Sequence, residues 1–204
     1  MNLQADAPAL VLASASSARQ ALLRQAGLRL EVYPAQIDEA QVKRSARGEG
    51  LSVDDTAVLL AELKALQVSR RFADALVIGC DQILLCGDTW FDKPIDVAEA
   101  RQHLSALRGM RHTLITAVVC ARGNVRLWHH VARPRLTMRD FSAAFLDAYL
   151  HCEGDAVTAT VGCYRLEGLG AHLFTQVDGE HAAVLGVPLL PLLEFLRQYG
   201  VVVT

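Results

Sequence analysis

Asp81 is the residue of this sequence whose position most favours chemistry. It follows residues 76–80, an unbroken apolar run (LVIGC) of the kind that forms a buried central strand. A carboxylate at the end of such a strand has to be paired, hydrated or bound to metal, because burying it alone is costly. In open α/β sheets this edge is also where ligands bind. The position alone fits a functional carboxylate and an aspartate that only caps a turn equally well.

A second carboxylate, Glu39, ends the segment 36–39 (QIDE), which follows Pro34 and is predicted to be a loop or the end of a strand. Carboxylate oxygens are hard ligands that suit Mg²⁺ and Mn²⁺. Glu39 and Asp81 could therefore hold one divalent metal cation jointly. The alternative is that Glu39 is a solvated surface carboxylate.

Side chains that could bind phosphate occur in three segments. Ser14 and Ser16 precede a helical pattern that contains Arg19, so hydroxyls, backbone N–H groups and a guanidinium are available at one helix N-terminus. Lys64 lies in a predicted helix and Lys93 precedes another, and each could neutralise phosphate as a point charge. Serines before helices are also ordinary caps, and most lysines on helices and loops are simply solvated.

Other classes of chemistry find little support in the sequence. The histidines include no i, i+4 pair on a predicted helix and no neighbouring nucleophile elbow, which argues against a zinc or triad enzyme. The five cysteines are odd in number and lack CxxC spacing, which predicts buried reduced thiols. The net charge is −2 without a long run of either sign, so no basic stripe indicates a nucleic acid partner.

The first residues predict neither export nor membrane insertion. The opening MNLQADAPALVLASAS has no basic region, and its apolar run is too short for a signal peptide or a membrane span. Residues 1–8 are predicted to be a flexible leader. We therefore expect a cytoplasmic protein without a membrane partner.

The patterns of strands and helices indicate how these side chains are positioned. Helices are predicted at about 17–27, 52–68, 97–107, 142–151 and 189–199, and an exposed loop at 43–50. Strands are predicted at 9–12, 30–33, 76–80, 83–90 with a reversal near Gly87-Asp88, 113–120, 125–136, 161–166 and 173–177. Alternating helices and strands followed by a hairpin at 121–124 predict an α/β fold with a central twisted mixed sheet flanked by helices. The length fits a single domain, 1–204, or one domain pinched into two lobes around a cleft.

Seven short segments, taken in order, resemble the Maf family of nucleotide pyrophosphatases over nearly the whole chain. They are LASASSAR at 12–19, IDE at 37–39, LAELKA at 60–65, GCDQ at 79–82, KP at 93–94, GCYRLEG at 162–168 and VLGVPL at 184–189. Any one of them would be a weak signal, whereas seven in register are specific. The resemblance implies the α/β fold of Maf and ITPase proteins, two lobes around a cleft, and often a homodimer.

The resemblance also implies an activity, namely hydrolysis of a nucleoside triphosphate to the monophosphate and pyrophosphate with Mg²⁺ or Mn²⁺, as house-cleaning of the nucleotide pool. In that family the aspartate at the position of Asp81 acts as general base. The residues at the matching positions of this chain that surround the phosphates and the metal are Ser14, Ser16, Arg19, Glu39, Lys64 and Lys93.

Three further positions, Ala18, Gln82 and Glu167, resemble the family's set of specificity residues. The dTTP/UTP branch has arginine, threonine and glutamine there, whereas Gln82 and Glu167 are similar to the branch that acts on 7-methyl-GTP. The Glu167 carboxylate could accept hydrogen bonds from a guanine edge. Ala18 departs from that branch, which carries a tryptophan. Arg165, two residues before Glu167 on a predicted strand, is expected to share its face and to pair with it.

Two alternatives remain open. A non-catalytic, nucleotide-binding regulator of cell division could use the same scaffold, and Ser17 in place of the family's proline argues mildly for it. A phosphatase with an aspartate nucleophile would usually have a second aspartate two residues after Asp81, where this chain has Ile83.

Overall fold

A single mixed sheet forms the centre of the fold. The computed structural model describes residues 3–203. Within these residues the strands are β1 (Leu10–Leu12), β2 (Leu30–Val32), β3 (Leu76–Cys86), β4 (Thr89–Phe91), β5 (Arg111–Arg122), β6 (Val125–Ala132), β7 (Arg135–Met138) and β8 (Phe174–Asp178). Their order is β2-β1-β3-β5-β7-β8, with β4 paired to β3 and β6 to β5. The pairs of β1 with β2 and β3 are parallel, whereas the hairpin and β7 pairings are antiparallel, which confirms the predicted mixed sheet.

Helices connect the strands and begin where the sequence places capping residues. They are α1 (Ser17–Gln25), α2 (Glu39–Gly48), α3 (Val53–Ser69), α4 (Val97–Leu107), α5 (Ala143–Glu153), α6 (His181–Val184) and α7 (Leu189–Gln198). The hydroxyls of Ser16, Ser52 and Ser142 accept backbone N–H groups at the starts of α1, α3 and α5. None of the helices in residues 3–203 has the length and apolar character needed to span a bilayer.

The chain divides into two compact units, each with its own apolar core. The first unit comprises the described residues up to Asp81, Thr116–Ala132 and the residues from Leu185 on. Its core is formed by side chains such as Leu12, Ile78 and Leu192. The second unit comprises Gln82–Ile115 and Arg133–Val184. Its core is formed by side chains such as Leu104, Leu136, Phe141 and Leu173.

The predicted exposed loop at 43–50 is wrong, because residues Glu39–Gly48 form the helix α2. Asp38 caps this helix, and its Oδ1 accepts the N–H of Gln41 at 2.9 Å. The buried face consists of Ala46 and the largely aliphatic Lys43, so little apolar signal appears in the sequence. The glycines end the helix rather than prevent it, since Gly50 just beyond has a φ of 74°.

The separate strands predicted at 76–80 and 83–90 are also corrected. Residues Leu76–Cys86 form one continuous strand, β3, which then reverses at Gly87 and pairs with β4, as the turn signal indicated. Asp81 consequently lies inside a strand, not at its end. The aspartate interrupts the apolar run in the sequence but not the strand itself.

Residues 161–166, predicted as a strand, form turns instead. Gly162 and Cys163 have left-handed backbone angles, with φ of 81° and 63°, and two such residues cannot continue a strand. Residues 161–164 are buried, and side chains fix the segment: the Tyr149 hydroxyl donates to the Cys163 carbonyl at 3.0 Å, and the Thr160 hydroxyl donates to the Tyr164 carbonyl at 2.9 Å. The apolar residues of this segment therefore indicate that it is buried, and they do not indicate a strand.

The segment predicted as a leader contacts the first unit. Its residues 1 and 2 lie outside the described part of the chain. Gln4 is buried, and its side chain donates to the carbonyl of Arg29 at 3.0 Å and accepts the Arg29 N–H at 2.6 Å. The Ala5 N–H donates to the Val201 carbonyl at 2.9 Å. The leader interpretation did not anticipate these contacts.

Helix α3 lies directly against strand β3 because position 79 has no side chain. An added Cβ at Gly79 would meet the carbonyl oxygen of Ala61 and would lie 2.9 Å from the Cβ of Ala65. Both neighbours are small, buried residues of α3, and the obstructing atoms belong partly to the backbone. The helix and the strand can approach this closely only with glycine and alanine at the contact.

We expect Gly79→Ala to lower the free energy of unfolding by about 3 kcal/mol, because the helix would have to move away from the strand. Urea denaturation followed by circular dichroism measures this change. Gly48→Ala is the matched control, since a Cβ there meets nothing within 4 Å and the position ends a helix. The control should change stability by less than about 1 kcal/mol. Equal stability of the two variants would contradict the close contact.

Candidate active site

Asp81 and Lys64 form a buried ion pair at the contact between β3 and α3. The Lys64 Nζ lies 2.6 Å from Asp81 Oδ1, and both residues are buried. Lys64 lies between Ala61 and Ala65 along the helix, the residues that contact Gly79. The close helix contact therefore brings the lysine to the carboxylate two residues further along the strand.

Glu39 joins this pair from a third element. It is the first residue of α2, directly after the cap Asp38, and its Oε1 lies 2.6 Å from the Lys64 Nζ. Its side chain is about half exposed, at 45 %, whereas that of Asp81 is 4 % exposed. One ammonium thus bridges a buried carboxylate and a carboxylate at the surface.

The second oxygen of Asp81 takes no part in the ion pair with Lys64. Asp81 Oδ2 is buried and accepts no hydrogen bond from any residue that the structure describes. Burial raises the pKa of the Asp81 carboxyl, Lys64 opposes this rise, and the negative charge of Glu39 adds to it. The carboxylate therefore binds a proton more readily than an ordinary aspartate, as a general base requires.

Arg19 lies in the first turn of α1 and is held by three acceptors. Its Nε donates to the carbonyl of Gly186 at 3.0 Å, and its Nη1 donates to the carbonyl of Cys80 at 2.9 Å and to the Ser14 hydroxyl at 3.3 Å. Ser16 caps the helix through its hydroxyl, which accepts the Arg19 N–H at 3.4 Å. The guanidinium is thus fixed next to the residue that precedes Asp81.

The predicted site residues divide between the two units. The first unit brings Asp81, Lys64 and Glu39 into direct contact, and it also contains Ser14, Ser16, Ala18 and Arg19. The second unit contains Gln82, Lys93 and Glu167. Gln82 Nε2 donates to the carbonyls of Ala183 and Val184 at 3.1 and 3.2 Å, whereas Lys93 and Glu167 are exposed.

The expected pairing of Arg165 with Glu167 is corrected by the structure. The Arg165 guanidinium binds Glu153, with Nη2 at 2.8 Å and Nε at 3.2 Å from Oε2. The Glu153 side chain is 3 % exposed, so the pair anchors the turn to the end of α5. Residues 165 and 167 lie on a turn and not on a strand, which removes the shared face that the prediction assumed.

Two contacts of the site carried no usable signal in the sequence. Arg19 is held by the backbone carbonyls of Cys80 and Gly186, and any residue type supplies a carbonyl. The segment VLGVPL, noted for its family resemblance, does contain Gly186. Its functional part is the backbone oxygen, which no residue pattern identifies.

A cysteine and a histidine lie close together in the second unit but form no nucleophilic site. The Cys163 Sγ lies 3.8 Å from His103 Nδ1, and His103 Nε2 lies 3.9 Å from Glu99 Oε1. Burial raises the pKa of the Cys163 thiol to about 12, so the sulfur stays protonated at neutral pH.

The donor set fits a magnesium or manganese ion that is shared with a substrate. In residues 3–203 no three histidine, cysteine, aspartate or glutamate side chains gather as a metal cage. Mg²⁺ is commonly held by one or two carboxylates together with substrate phosphates, and Glu39 and Asp81 offer such carboxylates. The Lys64 ammonium lies between these two carboxylates and neutralises part of their negative charge.

Comparison with known proteins gives matches along nearly the whole chain. The family model described as Maf-like protein matches residues 9–199. A nucleoside triphosphate pyrophosphatase from Granulibacter bethesdensis is 55 % identical over 93 % of this chain and 96 % of that protein. A protein of the same name from Rhodospirillum rubrum is 48 % identical over 97 % and 98 %. A 7-methyl-GTP pyrophosphatase from Rhizobium johnstonii is 43 % identical over 96 % and 98 %.

We expect Gly186→Ala to displace Arg19, because the added Cβ would lie 2.8 Å from the guanidinium Nε. Affinity for pyrophosphate in the presence of magnesium, measured by calorimetry, should fall about tenfold.

Gly200→Ala is the matched control for that substitution. Gly200 also has a positive φ, 77° against 99° at Gly186, but nothing lies within 4 Å of an added Cβ. Both variants should lose about 1–2 kcal/mol of stability from backbone strain. Only Gly186→Ala should lose affinity, and unchanged affinity there would contradict the role of this contact.

Proposed function

Because the chain belongs to the Maf-like protein family, we propose that it hydrolyses nucleoside triphosphates between the α- and β-phosphates. The products are the nucleoside monophosphate and pyrophosphate. The observation that carries this proposal is the buried Asp81 carboxylate, which pairs through one oxygen with Lys64 and has no partner at the other among residues 3–203. Such a carboxylate can hold a water molecule at the free oxygen and accept its proton.

In the proposed reaction, Asp81 Oδ2 orients a water molecule towards the α-phosphorus and takes its proton as the new P–O bond forms. The bond from the α-phosphorus to the bridging oxygen breaks, and pyrophosphate leaves with that oxygen. Lys64 and Arg19 neutralise negative charge that develops on the phosphates. No covalent intermediate is required, and Ile83 at the place of a second aspartate agrees with this route.

Glu39 and Asp81 are the residues that would hold a divalent cation, Mg²⁺ or Mn²⁺. Such an ion supplies Lewis-acid stabilisation of charge on the phosphate oxygens. Lys93, which is exposed in the second unit, is proposed as a further phosphate ligand. Ser14 and Ser16 are also proposed as phosphate ligands, and the Ser14 hydroxyl accepts a hydrogen bond from the guanidinium of Arg19.

For the base, we propose a modified purine such as 7-methylguanine. The support is the pair Gln82 and Glu167 together with a 43 % identical relative that is named 7-methyl-GTP pyrophosphatase. Two carbonyls orient the amide of Gln82, and the Glu167 carboxylate is exposed on an anchored turn. Ala18 in α1 offers no ring to stack on a base.

The setting that we propose is a cytoplasmic homodimer that removes unwanted nucleotides. All five cysteines are free thiols, which supports a reducing compartment. The homodimer rests on the resemblance to the family.

We expect Asp81→Asn to lower kcat for nucleotide hydrolysis by about 10²–10⁴-fold, because the amide cannot accept the proton of the attacking water. The KM should change far less than kcat. Pyrophosphate release with Mg²⁺ or Mn²⁺ measures both constants. Asp88→Asn, which changes an exposed aspartate in the β3–β4 turn, is the control and should keep wild-type rates.

Near wild-type kcat in Asp81→Asn would overturn the proposed mechanism. If folded wild-type protein binds nucleotide but releases no pyrophosphate, the chain is a nucleotide-binding regulator instead. Release of orthophosphate would indicate a phosphatase.

We expect Glu167→Gln to lower kcat/KM for 7-methyl-GTP about tenfold relative to UTP, because it removes the charge that pairs with the methylated base. A panel of dTTP, UTP, CTP, GTP and 7-methyl-GTP gives the ranking. Asp155→Asn, an exposed carboxylate in the same unit, is the control. An unchanged ranking would show that Glu167 does not select the base.

A further inference from the structure

We infer that Lys64 is an internal cation which keeps a free divalent metal ion out of the site, so that the metal enters together with the triphosphate. This inference rests on the proposed function for the identity of the substrate. It concerns a binding step that precedes chemistry, and nucleotide-free protein is sufficient to test the exclusion of the metal ion.

The position of the ammonium is the first support. Lys64 Nζ lies 2.6 Å from Asp81 Oδ1 and 2.6 Å from Glu39 Oε1. These are the two carboxylates that the donor chemistry assigns to a cation. The ammonium therefore directs two of its three N–H groups at the carboxylates of Asp81 and Glu39. A metal ion would have to compete with Lys64 for the same two carboxylates.

The balance of charge is the second support. Asp81 and Glu39 contribute two negative charges, which Lys64 and the guanidinium of Arg19 offset, since Arg19 is fixed to the carbonyl of the residue before Asp81. The local sum is close to zero. A divalent cation that entered alone would leave a net charge of about +2 next to the buried Asp81 and Lys64, which is unfavourable. The positive charges of Lys64 and Arg19 already cancel most of the attraction between the two carboxylates and an incoming metal ion.

A triphosphate changes this balance because it brings several negative charges of its own. The lysine stem is flexible and its charge is compact, so the ammonium can turn from a carboxylate to a phosphate oxygen while the metal takes its place. The same lysine thus stabilises the nucleotide-free protein and then the bound phosphates. Loading of the metal is coupled to loading of the substrate.

Binding of Mn²⁺ to nucleotide-free protein tests the inference, with free Mn²⁺ followed by electron paramagnetic resonance at pH 8. Wild type should bind Mn²⁺ weakly. Lys64→Met, which removes the charge but keeps the stem volume, should bind it at least about tenfold more tightly. Lys64→Arg keeps the positive charge and should remain as weak as wild type.

Two further measurements make the result specific. The double variant Lys64→Met/Glu39→Gln should lose the gain in affinity, which assigns the bound Mn²⁺ to the site that contains Glu39. Circular dichroism and thermal melting establish that each variant is folded, and Lys64→Gln replaces Lys64→Met if the latter is not. Equal Mn²⁺ affinity in wild type and the uncharged variants, whether tight or weak, would overturn the inference.

Addition of an α,β-methylene nucleoside triphosphate completes the test, because it cannot be cut at the proposed bond. Wild type should then take up Mn²⁺ together with the nucleotide, beyond the Mn²⁺ that the same concentration of analogue binds in the absence of protein. If the analogue produces no uptake while the nucleotide-free affinities behave as expected, Lys64 still excludes the metal ion and the proposed nucleotide substrate is wrong. If the analogue does produce uptake but Lys64→Met gains nothing, only the role of Lys64 is wrong.

Discussion

A carboxylate buried inside a central strand is the constraint on which this structure depends. Asp81 can stay charged there only if a cation reaches it from a neighbouring element, and that cation, Lys64, comes from α3. Its approach requires the contact of α3 with Gly79, where a side chain would separate helix and strand. Glu39 at the start of α2 shares the same ammonium. The geometry of three elements therefore follows from the need to compensate one buried charge.

Much of the fold could be predicted from the sequence, because local signals determine local structure. Serines and acidic residues with short side-chain acceptors mark the helix starts, and Gly87 and the segment 121–124 mark the hairpins. The failures have physical reasons. Helix α2 buries a lysine stem and one alanine, so its apolar stripe is too thin to detect. Residues 161–166 are apolar since they are buried, although the left-handed Gly162 and Cys163 exclude a strand.

The chemistry of the site could be predicted in its residue types but not in its contacts. Asp81 stands out as a carboxylate in an apolar run, and the family resemblance indicates Lys64, Glu39 and Arg19. The bridge of one lysine to two carboxylates joins residues far apart in the chain, so tertiary packing alone creates it. Backbone carbonyls that hold Arg19 have no sequence signature at all.

The first unit is assembled from segments that lie far apart in the chain, and this has a consequence for biosynthesis. Its core needs Leu192 and Leu196 of α7, and the guanidinium of Arg19 needs the carbonyl of Gly186. During translation the emerging polypeptide therefore contains Asp81 and Lys64 long before it can complete the core around them. We expect ribosome-bound intermediates to lack an ordered guanidinium, so that catalytic competence arises only once synthesis has passed α7.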